Sequence, residues 1–481
     1  MRLGAKHQNQ REVVFSNFAG GLNTSSNLDG LAENQLADAL NVEVDTANGR
    51  LKTVAGTVDL LDFENIFAGI YDEINDRLLL IKDDKSVYEV NLNTNKVIGK
   101  VGTLSGDMYP ISTRWENGVL LASGGKLQYF NGTELVTIAD SPICTSVYVR
   151  AGRVLVTDEN NVRYSGVGDE TNWTEDTGDD SSAKFVEIGY KDGGKLFTMI
   201  NLSSDVLLIK DNRRLYRLSG EYPNWSLSEV SRNVDVRDRL GVCAIADSVF
   251  VLGRNEVQSI QTTNAYGDMK PADMSPLIAR EIQSLPANTM LRYLPSLNQI
   301  WAIAGADVMV FDLRVQNWYK RQFNSPLVDA IPVGEEVLIL KKDRVAKLDA
   351  RSFYDDGMPL HWWWQARRLL SYNEFFLKRV QVSYTPIDRK LSTGNIRVGG
   401  VTISLPAIDD KNSKRRYLAS PSALIYRNKD SVFSNPNPIF NRPTILVESR
   451  NVYRHKFLDI KGSGSGGGII FNEIIMTLAE V

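Results

Sequence analysis

Seven times between residues 78 and 350 the chain repeats one pattern: an almost continuously apolar run, a short polar turn, and a second run in which apolar and polar residues alternate. The copies are LLLIKDDKSVYEVNL (78–92), GVLLASGGKLQYFNG (118–132), GRVLVTDENNVRYSG (152–166), DVLLIKDNRRLYRLSG (205–220), DSVFVLGRNEVQSI (247–260), NQIWAIAGADVMVFDL (298–313) and EVLILKKDRVAKLDA (336–350). The turns KDDK, SGGK, DENN and KDNR hold Gly, Asn and Asp, which tolerate positive φ or bond their own backbone, as tight hairpins require. A continuously apolar run predicts a strand buried on both faces, and an alternating run a strand with one face packed and one wetter.

The copies recur roughly every 35–50 residues, the spacing of propeller blades, whose inner strands are the more buried. The predicted fold class is therefore all-β, a β-propeller of six or seven blades, against the alternative of ordinary antiparallel sandwiches. Helical signal is scarce. Its best instance is AENQLADAL (32–40), short and weakly amphipathic.

The flanks lack the repeat. Residues 1–62 read as a loop, a short turn or helix, and a hairpin between NVEVDTA and RLKTVAG with Asn48-Gly49 as its turn. From about residue 357 come HWWWQARRLL and four or more strands: KRVQVSYTPI, NIRVGGVTISL, TILVESRNVYRHKFLDIKG and GGIIFNEIIMTLAEV. The polar, Pro-rich stretch from DDKNSKRRYLASPS to SNPNPIFNRP reads as loop, and SGSGGG (463–468) as a flexible hairpin loop. The expected domains are an N-terminal arm and hairpin (1–62), a propeller (63–356), and a small antiparallel β platform (357–481) that the arm joins.

Composition narrows the function classes. The formal net charge is -3, which argues against strong non-specific affinity for nucleic acid. Cys144 and Cys243 lie in strand-like segments and read as small buried hydrophobes rather than a disulfide framework. Three scattered histidines, His7, His361 and His455, make a zinc site improbable, and no cofactor is expected. MRLGAKHQNQREVV lacks the apolar stretch of a signal peptide, and no apolar run reaches bilayer-spanning length. No P-loop, dinucleotide fingerprint or nucleophile elbow occurs.

Three groups of residues merit weighing. The acidic loop GDETNWTEDTGDDSS carries Asp169, Glu170, Glu175, Asp176, Asp179 and Asp180. It reads as a solvated loop, as a hard-cation site, or as a channel-facing surface that repels phosphate at close approach. Arg213 and Arg214, Arg367 and Arg368, and Lys414, Arg415 and Arg416 read as turn or interface charge, the last three being able to meet a neighbouring subunit or DNA. Alternation puts Trp362 and Trp364 on one strand face and Trp363 on the other, a buried seam or subunit interface before a carbohydrate platform.

The opening FSNFAGGLNTSSNLDGLAENQLADALNVEVDTANGRLKTVAGT resembles propeller-type tail proteins of short-tailed phages, called hub, nozzle or packaged-DNA stabilisation proteins. The pattern falls on Gly20, Gly21, Leu22, Asn23, Asn34, Gln35, Asn41, Val42, Gly49 and Gly56. Residues 152–176 and 205–260 are similar to blades of that family, and the strands around Lys456–Ile460 and Ile469–Leu478 to its closing β-domain. The resemblance implies a structural, non-enzymatic virion protein in a homo-oligomeric ring, usually a hexamer, around the DNA exit channel. It implies portal-adaptor proteins, tail fibre or tailspike, and internal ejection proteins as partners. It also implies double-stranded DNA passing without sequence-specific binding, and assembly in the host cytoplasm. The alternatives are a propeller glycosidase or lyase, and a glycan-binding scaffold.

Overall fold

A computed structural model describes residues 10–45, 49–220, 223–262, 269–387, 393–405, 423–427 and 445–480. The chain is all-β, with one short α-helix, Ala279–Ser284, among the described residues.

Six four-stranded antiparallel sheets follow one another along the chain, spanning residues 66–103, 111–137, 147–187, 196–231, 242–273 and 290–322. A seventh comprises Leu327–Val333, Glu336–Lys341, Arg344–Asp349 and, as its outer strand, Gly56–Asp62. The seven hairpins read from the sequence are the second and third strands of these sheets. Their first members are buried nearly end to end, as in Gly118–Ala122 and Asp205–Lys210. In the turns, Asp84 and Asn212 accept the forward backbone N–H of Ser86 and Arg214, at 2.9 and 3.3 Å. Positive φ falls on Lys85, Glu159 and Arg213 rather than on the Asx residues, and on Gly124 in SGGK.

Residues 56–62, assigned above to the N-terminal arm, thus belong to the seventh sheet. Beyond Asp349 the chain turns away into a small hairpin, Tyr354–Asp355 with Met358–Pro359, and leaves the edge of Arg344–Asp349 open for the early strand. Gly56 makes the turn by donating to the Ser352 carbonyl at 2.6 Å, and a Cβ there would sit 2.2 Å from the Tyr354 carbonyl oxygen.

Apolar faces of neighbouring sheets interlock in order. Separate cores join the first sheet to the second, the second to the third, the third to the fourth and the fourth to the fifth. The fifth joins the sixth through Phe250, Leu252, Ile300 and Phe311, the sixth the seventh through Trp301, Ile303, Ala330 and Val337, and the seventh returns to the first through Ile331, Leu340, Ile66 and Leu80. The succession is closed.

The remaining strands build two larger sheets. The five-stranded one runs Leu36–Leu40, His361–Ala366, Ile460–Ser465, Thr393–Val398, Val401–Ser404. The seven-stranded one runs Val42–Asp45, Arg50–Thr53, Ile469–Glu480, Leu369–Pro386, Ile445–Leu458, Ala423–Arg427, with Gln10–Phe15 also on Ile469–Glu480. Their core, with Val42, Leu51, Trp364, Ile460 and Phe471, is continuous with that between the fifth and sixth sheets.

Three local expectations are corrected here. Leu36–Leu40 is a strand, not the end of a helix: pairing with Trp363 and Trp364 outweighs weak helical propensity. Ser463–Ser465 lie in a central strand, and only Gly466 and Gly467, at positive φ, turn. Gly462 and Gly468, which flank that stretch, are there for space, since a Cβ on Gly462 would meet the Trp364 indole at 2.4 Å and one on Gly468 the Phe353 ring at 2.0 Å. Ala423–Arg427, inside the stretch read as loop, is a strand paired with Ile445–Leu458.

Candidate functional site

The first strands of all seven sheets line one cavity of about 520 Å³. At the end where those strands begin, four side chains converge, Tyr109 and Arg239 from two inter-sheet connections and Arg292 and Asp329 from two first strands. Arg292 grips Asp329 with two hydrogen bonds of 2.8 and 3.1 Å, and the Tyr109 hydroxyl donates to the same carboxylate. Arg239 donates to the Thr145 carbonyl at 3.0 Å and to that of Tyr109. Burial, helped by Asp329, pushes the Tyr109 hydroxyl well above its ordinary pKa. Burial alone would lower Arg292, but Asp329 and Tyr109 outweigh it and hold the guanidinium charged. Arg239 is lowered, chiefly by burial. Asp329 is thereby occupied on both oxygens, and Glu73 is the other carboxylate of the lining.

The acidic loop joins the third and fourth strands of the third sheet and takes no part in this cavity. Its carboxylates mostly shape the loop itself. Asp169 accepts from Thr171 N and Oγ1 at 2.9 and 2.6 Å, and Asp179 from Ser181 N and Oγ at 2.8 and 2.7 Å; these bonds hold both carboxyls below their usual range. Asp176 accepts Gly178 N at 2.8 Å, Glu170 accepts Trp115 Nε1 at 3.0 Å, and Glu175 pairs with Arg163 at 3.0 Å. Buried Arg153 pins the loop through the carbonyls of Ser165, Ser182 and Asp180. Among the described residues no group of three or more His, Cys, Asp or Glu is placed to hold a metal ion.

Trp362 and Trp364 point into the shared core, against Phe471 at 5.4 and 5.6 Å, with Phe18 5.7 Å from Trp364. Trp363 is half-buried on the opposite face. Arg214 pairs with Glu229, Arg367 with Glu33 and Arg368 with Asp459, and Arg213 lies 3.8 Å from Asp235. Lys414, Arg415 and Arg416 lie outside the described residues. On the outward face of the five-stranded sheet, exposed Arg397 and Lys461 stand directly opposite each other in register. With Lys456 they border a groove of about 550 Å³.

The N-terminal pattern residues anchor the arm. Gly20 lies against Asn34 and Gly21, at φ 65°, against Asn317, where no side chain fits. Leu22 N donates to the Trp318 carbonyl at 3.0 Å, and Asn23 Nδ2 to Gln35 at 2.9 Å. Asn41 clamps two bodies, its Nδ2 donating to the His361 carbonyl at 2.7 Å and its Oδ1 accepting Gln322 N at 2.8 Å. These are positional roles, without a reacting group among them.

Sequence reasoning missed Tyr109, Arg239, Arg292 and Asp329, whose separation along the chain follows no motif. It also missed Lys210 and Lys341, each ending an apolar run and each fully buried on a carboxylate at 2.5 Å. Both cysteines are buried and free, and burial pushes each thiol up to about 12. Neither should be alkylated by iodoacetamide at pH 8 until the protein unfolds; intact-mass spectra with and without urea check this, and native labelling would contradict it.

No helix among the described residues is long and apolar enough to cross a membrane. No protein-family model and no curated protein matches the sequence. Among solved structures, the computationally designed Ika8 protein is similar at 10% identity and a TM-score of 0.36, over 60% of this chain and 99% of that one. That likeness is too slight to carry an argument.

Proposed function

We propose that the seven small sheets are blades of a β-propeller, closed by the Gly56–Asp62 strand, that the two larger sheets are its platform, and that the protein is a structural ring subunit of a phage tail. The closed succession of inter-sheet cores supports the propeller, and the core shared with the fifth and sixth sheets supports a rigid union with the platform. A cavity of about 520 Å³ has the size of a small-molecule site, not of a duplex whose major groove alone is about 12 Å wide. DNA must then pass between subunits of a homo-oligomer, a hexamer on the family resemblance, with adaptor, fibre or spike and ejection proteins as neighbours.

The observation that carries the reading is the Arg397–Lys461 pair. Like charges directly opposite on a sheet destabilise it, and neither has an ion-pair partner among the described residues. A passing polyanion relieves that repulsion without sequence readout.

Light scattering should show a ring, and duplex DNA should bind it weakly and with strong salt dependence. The double variant Arg397→Glu/Lys461→Glu should keep the ring and lose about two units from the slope of log K against log salt. A monomer at every concentration, or an unchanged slope, would sink the proposal. A glycan-binding or glycan-cleaving propeller is the second reading, favoured by the ligand-sized cavity. A monomer that releases sugar from a polysaccharide would establish it instead.

A further inference from the structure

The cavity holds a cation with no carboxylate within ion-pair distance among the described residues, the neighbouring Asp238 only partly offsetting its burial. Arg239 is 8% exposed, and its hydrogen bonds go to two main-chain carbonyls. Among the described residues it makes no ion pair: Asp329 is taken by Arg292, and Asp238 caps the Leu240 backbone N–H at 2.9 Å. A buried, unpaired charge is costly. A guanidinium has five N–H donors in a planar fork, and the two carbonyls leave part of that fork for a ligand.

We infer that the cavity binds a small solute bearing one carboxylate or phosphate, seated on Arg239, with a hydroxylated body against Thr113, Tyr148 and Asn201. The arginine fork matches the oxygens of either acid group. The volume lies within the roughly 300–1,000 Å³ of small-molecule sites. Thr113, Tyr148 and Asn201 offer neutral donors and acceptors along the same wall. Glu73 follows the first strand of the first sheet, at the end away from Arg239, where it repels a second acid group. The ligand class is a polyhydroxylated monoacid, such as a uronate or a sugar phosphate. This inference is independent of the tail reading, since it concerns the inside of one chain.

Calorimetric titration of the full-length protein with glucuronate, glucose 6-phosphate and glucose tests it. At least one acid should bind and glucose should not, and comparing the two acids separates carboxylate from phosphate. Arg239→Gln should weaken that acid by about tenfold or more, and Arg239→Lys should restore part of the loss. Asn201→Ala, away from the buried cation, should weaken the sugar acid while leaving inorganic phosphate or acetate unaffected. Acids binding no better than glucose, or binding unchanged in Arg239→Gln, would overturn the inference. Should Arg239→Gln fail to fold, a map of the wild-type protein with the bound acid decides: density on Arg239 supports the site, and density elsewhere overturns it.

Discussion

Replacing Asp355 with alanine should cost about 3–5 kcal/mol of stability, the range for breaking a buried ion pair from one side. Asp355 is fully buried. One oxygen accepts Lys341 Nζ at 2.5 Å and Thr57 Oγ1 at 2.6 Å; the other accepts Asn324 N at 2.7 Å. Lys341 comes from the second strand of the seventh sheet, Thr57 from its closing strand, and Asn324 from the connection after the sixth sheet. One carboxylate thus ties the seam where the two ends of the succession meet. Its loss leaves Lys341, itself fully buried, with Asp356 at 2.6 Å as its remaining carboxylate. Urea unfolding measures the effect. The double variant Lys341→Met/Asp355→Leu should be more stable than Asp355→Ala, because two apolar groups strand no charge. A change within about 0.5 kcal/mol for Asp355→Ala, the scatter of ordinary surface substitutions, would mean the seam is held elsewhere.

Trp364→Ala should cost a similar amount, about 3–5 kcal/mol, through the cavity it leaves. The indole is 1% exposed, wedged between Phe18, Phe471 and the backbone of Gly462. It joins the N-terminal arm, the seven-stranded sheet and the five-stranded sheet at one point. Its Nε1 has no acceptor among the described residues, so Trp364→Phe should lose far less than the alanine variant. Limited proteolysis should cut the alanine variant first within the two larger sheets, leaving the seven small sheets intact. Equal cutting throughout would show that Trp364 is not the joint between them.

How legible this was depends on burial. Runs such as LLLIK, VLLIK and VLILK sit between two sheets, so their whole length is apolar and each central hairpin stands out. The outer strands do not: Lys96–Thr103 is exposed over much of its length and Leu135–Thr137 has three residues, so neither carries a period to read. Leu36 and Leu40 are spaced for a helix, and only partners more than three hundred residues away, Ala366 and Trp363, make them strand. Gly462 has poor strand propensity, yet only a residue without a Cβ leaves room beneath the Trp364 indole. The cavity cluster was invisible for a different reason. Tyr109 and Asp329 meet across 220 residues, brought together by the closing of the sheets and not by any local motif.

The outer strand of the seventh sheet is made early and used late. Gly56–Asp62 leaves the ribosome long before Arg344–Asp349, its only partner in the sheet. At about 5–20 residues per second, the interval is on the order of tens of seconds. Throughout it, a nascent segment with unpaired backbone groups waits beside other emerging chains. Cells making this protein in quantity face intermolecular mispairing during translation, and a chaperone that shields the first sixty residues would raise the yield of folded product more than one acting on the finished polypeptide.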